Sequence, residues 1–263
     1  MCPKIGGIVI KKTLGSYPVS FITSRRMMGY RERSRAMDLS LLKAYHGYQS
    51  SIIPFSSGYY LYLATWDSTP TDFPCFSNIW VVTPENKRIL FSDPPASSEI
   101  VCIYHDFHEI QGASISFEWA SEYHLLVECE ALNGAHKLSA EIYLQETLAS
   151  RLLVTIASSP PTQLMVSKPM VAISNFLVSM LVAKGGSALY GKTETGQLFY
   201  NGAADRLFRV SRGSATLNGD DLGEVSSPTW PVEFGDAVPF VQPVIKLGTL
   251  YIPYEKEMLK DSV

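Results

Sequence analysis

Apolar and polar positions alternate most cleanly between Tyr123 and Leu144. Leu125, Val127, Cys129 and Ala131 fall on one face of an extended segment, with Glu128 and Glu130 on the other. After Asn133–Gly134 the alternation resumes: Leu138, Ala140, Ile142 and Leu144 oppose Lys137, Ser139, Glu141 and Tyr143. Period two on both sides of an Asn-Gly pair predicts a β-hairpin. Upstream, Tyr59–Trp66, Asn78–Thr83 and Arg88–Ser92 read as more continuously apolar strands. The loop Ser68–Phe76 and the turn Pro84–Glu85–Asn86 separate them, and Asp93–Pro94–Pro95 breaks the series. Ile100–Phe107, Ala113–Trp119 and Leu152–Ala157 read as further strands.

The C-terminal part carries the same texture. Gly191–Gly196 is a turn-rich connection, followed by short strands at Gln197–Tyr200, Arg206–Val210 and Ser214–Leu217. Asn218–Gly219 is a second turn, and Val241–Ile252 is a final apolar strand. Gly6–Lys11 and Tyr17–Ser24 are short β-like runs near the start. Two segments break the pattern. Asp38–Tyr48 spaces Leu39, Leu42 and Tyr45–His46 as a helix would, with Asp38 as its cap. Pro169–Lys184 is apolar, begins on a first-turn proline and stops at Gly185–Gly186. No βαβ alternation and no glycine-rich phosphate loop occurs. The expected fold is therefore mainly β, all-β to α+β: an antiparallel, barrel-like sheet with one inserted apolar helix. Residues 1–50 form an irregular or helical arm in this reading, and 51–263 a single β-barrel-like domain.

Composition narrows the partners. The chain has 263 residues, is 46% hydrophobic and carries a formal charge of −3, which suits an ordinary core and gives no general attraction to nucleic acid. Arginines cluster only in RRMMGYRERSR, residues 25–35, either as a solvated loop or as a clamp for phosphate or carboxylate. A helix over 169–184 is roughly 24 Å long, short of the ~30 Å hydrocarbon core, so no membrane span is expected. Cys2, Cys75, Cys102 and Cys129 form no CxxC pair or zinc-type cluster. They predict free thiols in a reduced, cytoplasmic protein, with no metal and no cofactor. A homo-oligomer is compatible with the chain.

Candidate chemistry gathers in Glu99–Trp119, EIVCIYHDFHEIQGASISFEW. On a continuing strand, Asp106 and His108 share one face and His105 the other. An acid beside a histidine suits general acid/base work, with His105 or Glu118 orienting substrate. Asp106→Asn is then expected to cut turnover about a hundredfold. Glu128 and Glu130 share one face, solvent or lumen; in a lumen, burial would raise a carboxyl toward an acid/base role. Lys168 and Lys246 lie in apolar surroundings, where an amine either snorkels to the surface or becomes nucleophilic.

From Gly58 to Trp119, with the Asn133–Gly134 hairpin after it, the chain resembles the acetoacetate decarboxylase-like family. That family has a β-rich barrel and a GRExxGxPK hallmark. Aligned on Phe117–Glu118–Trp119, YHDFHEIQG meets the hallmark: His105 at the arginine, Asp106 at the glutamate, Gln111 at the proline and Gly112 at the Schiff-base lysine. GSATL, PVEF and IPYEKEMLKD follow the family's tail loosely. The lysine is absent, so the resemblance implies the barrel without the imine mechanism. A second resemblance, to lipocalin-like barrels of the carotenoid hydratase type, implies an apolar cavity and no lysine. The resulting expectation is a tailoring enzyme, lyase or isomerase, acting on a small, apolar, carbonyl-bearing metabolite. Decarboxylase-, cyclase- and isomerase-like chemistry all fit that description. The alternative is a non-catalytic barrel that binds an apolar ligand. Tyr59, Tyr60, Tyr62, Trp66 and Trp80 are candidates for lining a pocket or filling a core.

Overall fold

The computed structural model describes residues 42–158, 172–173, 176–177, 190–236, 242–255 and 258, all within one compact unit, Leu39–Val263. The chain is mainly β. Twelve strands form one sheet: β1 (Leu42–Ser50), β2 (Ile53–Pro54), β3 (Tyr60–Ser68), β4 (Phe76–Val82), β5 (Arg88–Asp93), β6 (Glu109–Ser121), β7 (His124–Ala131), β8 (Lys137–Gln145), β9 (Tyr190–Lys192), β10 (Leu198–Leu217), β11 (Asp220–Glu224) and β12 (Val244–Pro253). The pairing runs β1-β12-β10-β8-β7-β6-β5-β4-β3, and β3 pairs back onto β1, so nine strands close a barrel. Closure removes the unpaired edges that an open sheet would present. At the closing seam the backbones come very near: a Cβ on Gly47 would meet the Thr65 carbonyl oxygen at 2.1 Å. Only glycine fits there.

Every pairing is antiparallel except β5 with β6. A parallel neighbour needs a crossover. Here it is a 3-10 turn (Pro95–Ser97), the short helix α1 (Ser98–Cys102) and a loop to His108. The expected strand at Ile100–Phe107 is thus replaced by helix and loop. The crossover covers the outer face of β3–β5, so these strands are buried on both sides and their sequences read as near-continuous apolar runs.

Two cores result. The lumen is filled by alternate residues of the wall, among them Leu61, Leu63, Ile79, Val81, Ile89, Phe91, Val127, Leu138 and Ile142. Full burial of each large aliphatic side chain contributes about 1.5–3 kcal/mol. Outside the wall, Tyr60, Trp66, Trp80 and Leu90 pack beneath Ile100, Val101 and Tyr104 of the crossover and Phe199, Phe234 and Ile252. The β7–β8 hairpin is as expected: its apolar positions point inward and Glu128 and Glu130 are exposed.

Three further expectations change. Leu42–Ser50 is β1, a barrel strand, where the spacing predicted a helix over Asp38–Tyr48. Leu152–Ala157 lies inside α2 (Leu148–Ser158) and is not a strand. Its start is fixed by reciprocal bonds, Thr147 N–H to Ser150 Oγ at 2.9 Å and Ser150 N–H to Thr147 Oγ1 at 3.1 Å. The three short strands expected over Gln197–Leu217 are one strand of 20 residues, β10, whose register shifts at several points. The β-like runs before residue 42, the arginine cluster and Lys168 lie outside the described residues. So does most of the helix expected over 169–184, of which 172–173 and 176–177 are helical. Among the described residues no helix is long and apolar enough to cross a membrane.

Cys75 is disulfide-bonded, which corrects the expectation of free thiols throughout. Cys102 and Cys129 are free, and burial pushes their thiols up to about 11 and about 12.

Candidate functional site

The chemistry of Tyr104–His108 is organised from elsewhere in the chain. The turn between β9 and β10 docks on the crossover: Thr195 N–H donates to Tyr104 O at 3.4 Å and Thr195 Oγ1 to Ile103 O at 2.7 Å. This places Glu194 against the loop. One carboxylate oxygen accepts from Arg88 Nη1; the other accepts the Asp106 backbone N–H at 3.1 Å and lies 3.4 Å from His105 Nδ1. Burial raises the Glu194 carboxyl, but His105, Arg88 and the Asp106 N–H outweigh it and hold it below the usual carboxylate range. Arg88 is steadied further by Nη2 to Glu233 O at 2.9 Å.

The walls are aromatic. His105 sits 4.8 Å from Trp80 and 5.7 Å from Phe234 between ring centroids, and the Arg88 guanidinium lies 4.6 Å over Phe234. Trp80 and Phe234 are 4.9 Å apart, and Phe107 packs on Trp80 at 5.4 Å. Burial lowers the His105 pKa, more than the Glu194 carboxylate raises it. The imidazole is therefore neutral at pH 7. Two N–H groups around this patch are buried without a hydrogen-bond partner, Trp80 Nε1 and Arg88 Nε, and His105 Nδ1 has only its long contact with Glu194, 3.4 Å. Such atoms are rare in folded proteins and cost about 1–3 kcal/mol each when left unmade.

The sequence-predicted residues separate. His105 is in the part-buried group with Arg88 and Glu194. Asp106 contributes its backbone N–H there, while its side chain is exposed. His108 is exposed, and its Nδ1 accepts the Arg88 N–H at 3.2 Å while its own N–H donates to Arg88 O at 3.0 Å. Loop geometry thus replaces the shared strand face expected for Asp106 and His108. Glu118 is exposed on β6, joined to His105 by no hydrogen bond or ion pair among the described residues. Arg88, Glu194 and Phe234 carried no sequence signal of their own beyond a strand start, a turn and an apolar position. Gly112 abuts Pro95, whose ring carbons a Cβ would approach to 2.8 Å, so no long side chain fits at that position.

The lumen offers less. Near one end Tyr48, Leu63, Thr65, Phe117, Trp119 and Leu125 line a crevice with room for about one water molecule. Among the described residues no three His, Cys, Asp or Glu side chains are grouped as metal ligands would be. No family model, curated protein or solved structure matches the chain.

Proposed function

We propose that the chain is an enzyme of proton transfer on a small, largely apolar carbonyl compound, with His105 as the base. The observation that supports this reading is the pair of buried N–H groups without an acceptor around Phe234, Trp80 Nε1 and Arg88 Nε, with the His105 ring packed on the same phenyl. A substrate oxygen accepting from Trp80 Nε1–H and Arg88 Nε–H would meet their unfilled hydrogen-bonding capacity, and the aromatic rings would hold its apolar part. With Nδ1–H turned to Glu194, the lone pair of His105 Nε2 is free to take a proton from the carbon beside the carbonyl. The two donors then stabilise charge developing on the oxygen. Glu194 steadies the imidazolium that forms. Isomerisation follows when the proton returns from the imidazolium to another carbon of that enolate. A β-keto acid reaches an enolate at the same two donors by losing CO2, and that enolate then takes a proton from solvent, which matches the chemistry implied by the acetoacetate decarboxylase-like resemblance without an amine at Gly112.

The test incubates the full chain in D2O with a panel of apolar ketones and β-keto acids. Proton NMR then reads exchange beside the carbonyl and loss of CO2. Exchange well above buffer with at least one compound is expected. Buffer rates across the whole panel would refute the reading.

A further inference from the structure

Among the described residues eight large apolar side chains stand exposed, and four of them share one anchor on the barrel wall. Leu148 and Leu152 of α2 are 85% and 56% exposed; Ile173 and Phe176, both helical, are 52% and 63% exposed. The anchor is the apolar cluster in which Leu153 and Val154 of α2 and Leu177 pack with Leu207 of β10 and Val244 of β12. On α2 the outward side carries Leu148, Arg151, Leu152 and Thr155 at helical spacing, opposite buried Ser150 and Leu153. A lone exposed leucine needs no explanation, but apolar side chains gathered over one anchor mark a contact surface.

Charge points to what covers this surface. From residue 147 to residue 193 the sequence holds Arg151, Lys168, Lys184 and Lys192 and no aspartate or glutamate, although the whole chain carries −3. Arg151 is offset by Glu146 just before the stretch, with Nε and Nη2 each 2.9 Å from one carboxylate oxygen. The three lysines make up the remaining excess. Apolar side chains beside an acid-free, cationic stretch match an anionic lipid surface, where the former enter the acyl boundary and the latter meet the headgroups. A second copy fits less well, because a two-fold contact would set the same positive charge against itself.

We propose that Leu148, Leu152, Ile173 and Phe176 form a docking surface for an anionic phospholipid bilayer. The protein lies on the membrane through these side chains and does not cross it by them. None of the His105 group takes part, so the surface stands or falls independently of the proton-transfer reading.

The experiment floats the full chain with vesicles of phosphatidylcholine alone and with vesicles containing about one-third phosphatidylserine. Binding at least about tenfold stronger to the anionic vesicles is expected, and high salt should weaken it. Leu148→Ser combined with Phe176→Ser, both at exposed positions, should lower that binding about tenfold or more and leave the melting temperature unchanged. No flotation with anionic vesicles overturns the proposal. Equal binding to both vesicles overturns it too, as does a double variant that floats like wild type. A dimer in lipid-free solution that the double variant abolishes would overturn it in favour of a second copy.

Discussion

Phe91 and Ser92 are neighbours on β5, both with 0% of their surface exposed, yet they face different worlds. Phe91 points into the lumen, where apolar side chains fill the barrel. Ser92 points outward, into the layer between the wall and its cover, and its hydroxyl has no partner. The same layer holds the unpartnered atoms of Asn78, Trp80 and Arg88. The lumen is built for stability. The outer layer keeps polar atoms in apolar surroundings, an arrangement that costs stability and suits chemistry.

This contrast breaks first at the lumen. Phe91→Ala should cost about 3–5 kcal/mol in denaturant unfolding, through lost transfer energy and a cavity. The second effect is electrostatic. Burial alone would raise the Glu109 carboxyl, but Lys87, Gln111 and His136 bring it to about 2. A depressed carboxyl adds stability above its unfolded value and loses it as pH falls through the folded one. Glu109→Gln should therefore cost about 1–2 kcal/mol at pH 7, with the gap to wild type closing between pH 4.5 and about 2.

Lys246 works in the opposite sense. Its folded value lies below its unfolded one, so the unfolded chain binds more protons between about 7 and 10.5, and stability rises with pH across that window. Lys246→Met should help most, or harm least, at pH 6, and the difference from wild type should turn unfavourable toward pH 10.5 in melting temperature. A gap independent of pH would show that the amine is not desolvated. Ser92→Ala should be neutral or stabilising by up to about 1 kcal/mol, because nothing is left unpaired. A loss comparable to Phe91→Ala would erase the distinction between the two layers. The smallest effect is expected at exposed Asp106: Asp106→Asn should change stability by less than about 0.5 kcal/mol.

How much of this was legible follows from range. The β7–β8 hairpin shows in the sequence because one face is buried and the other wet, so period two survives. β3–β5 show as apolar runs because both faces are covered. β1 looks helical in the sequence because Leu42 and Tyr45 match helical spacing, whereas Gly47 lets β1 meet Thr65 on β3. The crossover looks like a strand because IVCIYHDF is as apolar as one; only the parallel pairing of β5 with β6 requires a detour. The helix α2 hid behind Val154, Thr155 and Ile156, and its capping pair Thr147–Ser150 lacks the usual acid. At the site, His105 was visible as a residue, but Glu194 sits 106 positions from Arg88 and 88 from Asp106. No local pattern joins them; the docking of one turn onto the crossover does.

The central claim is that the part-buried His105–Glu194 pair, and not the exposed Asp106, moves the proton. The direct measurement compares His105→Gln with Asp106→Asn, using whichever carbonyl compound exchanges fastest with the wild-type chain in D2O. The account predicts that His105→Gln lowers the exchange rate by about a hundredfold or more, while Asp106→Asn stays within about threefold of wild type. A full rate in His105→Gln, or a hundredfold loss in Asp106→Asn alone, would contradict it.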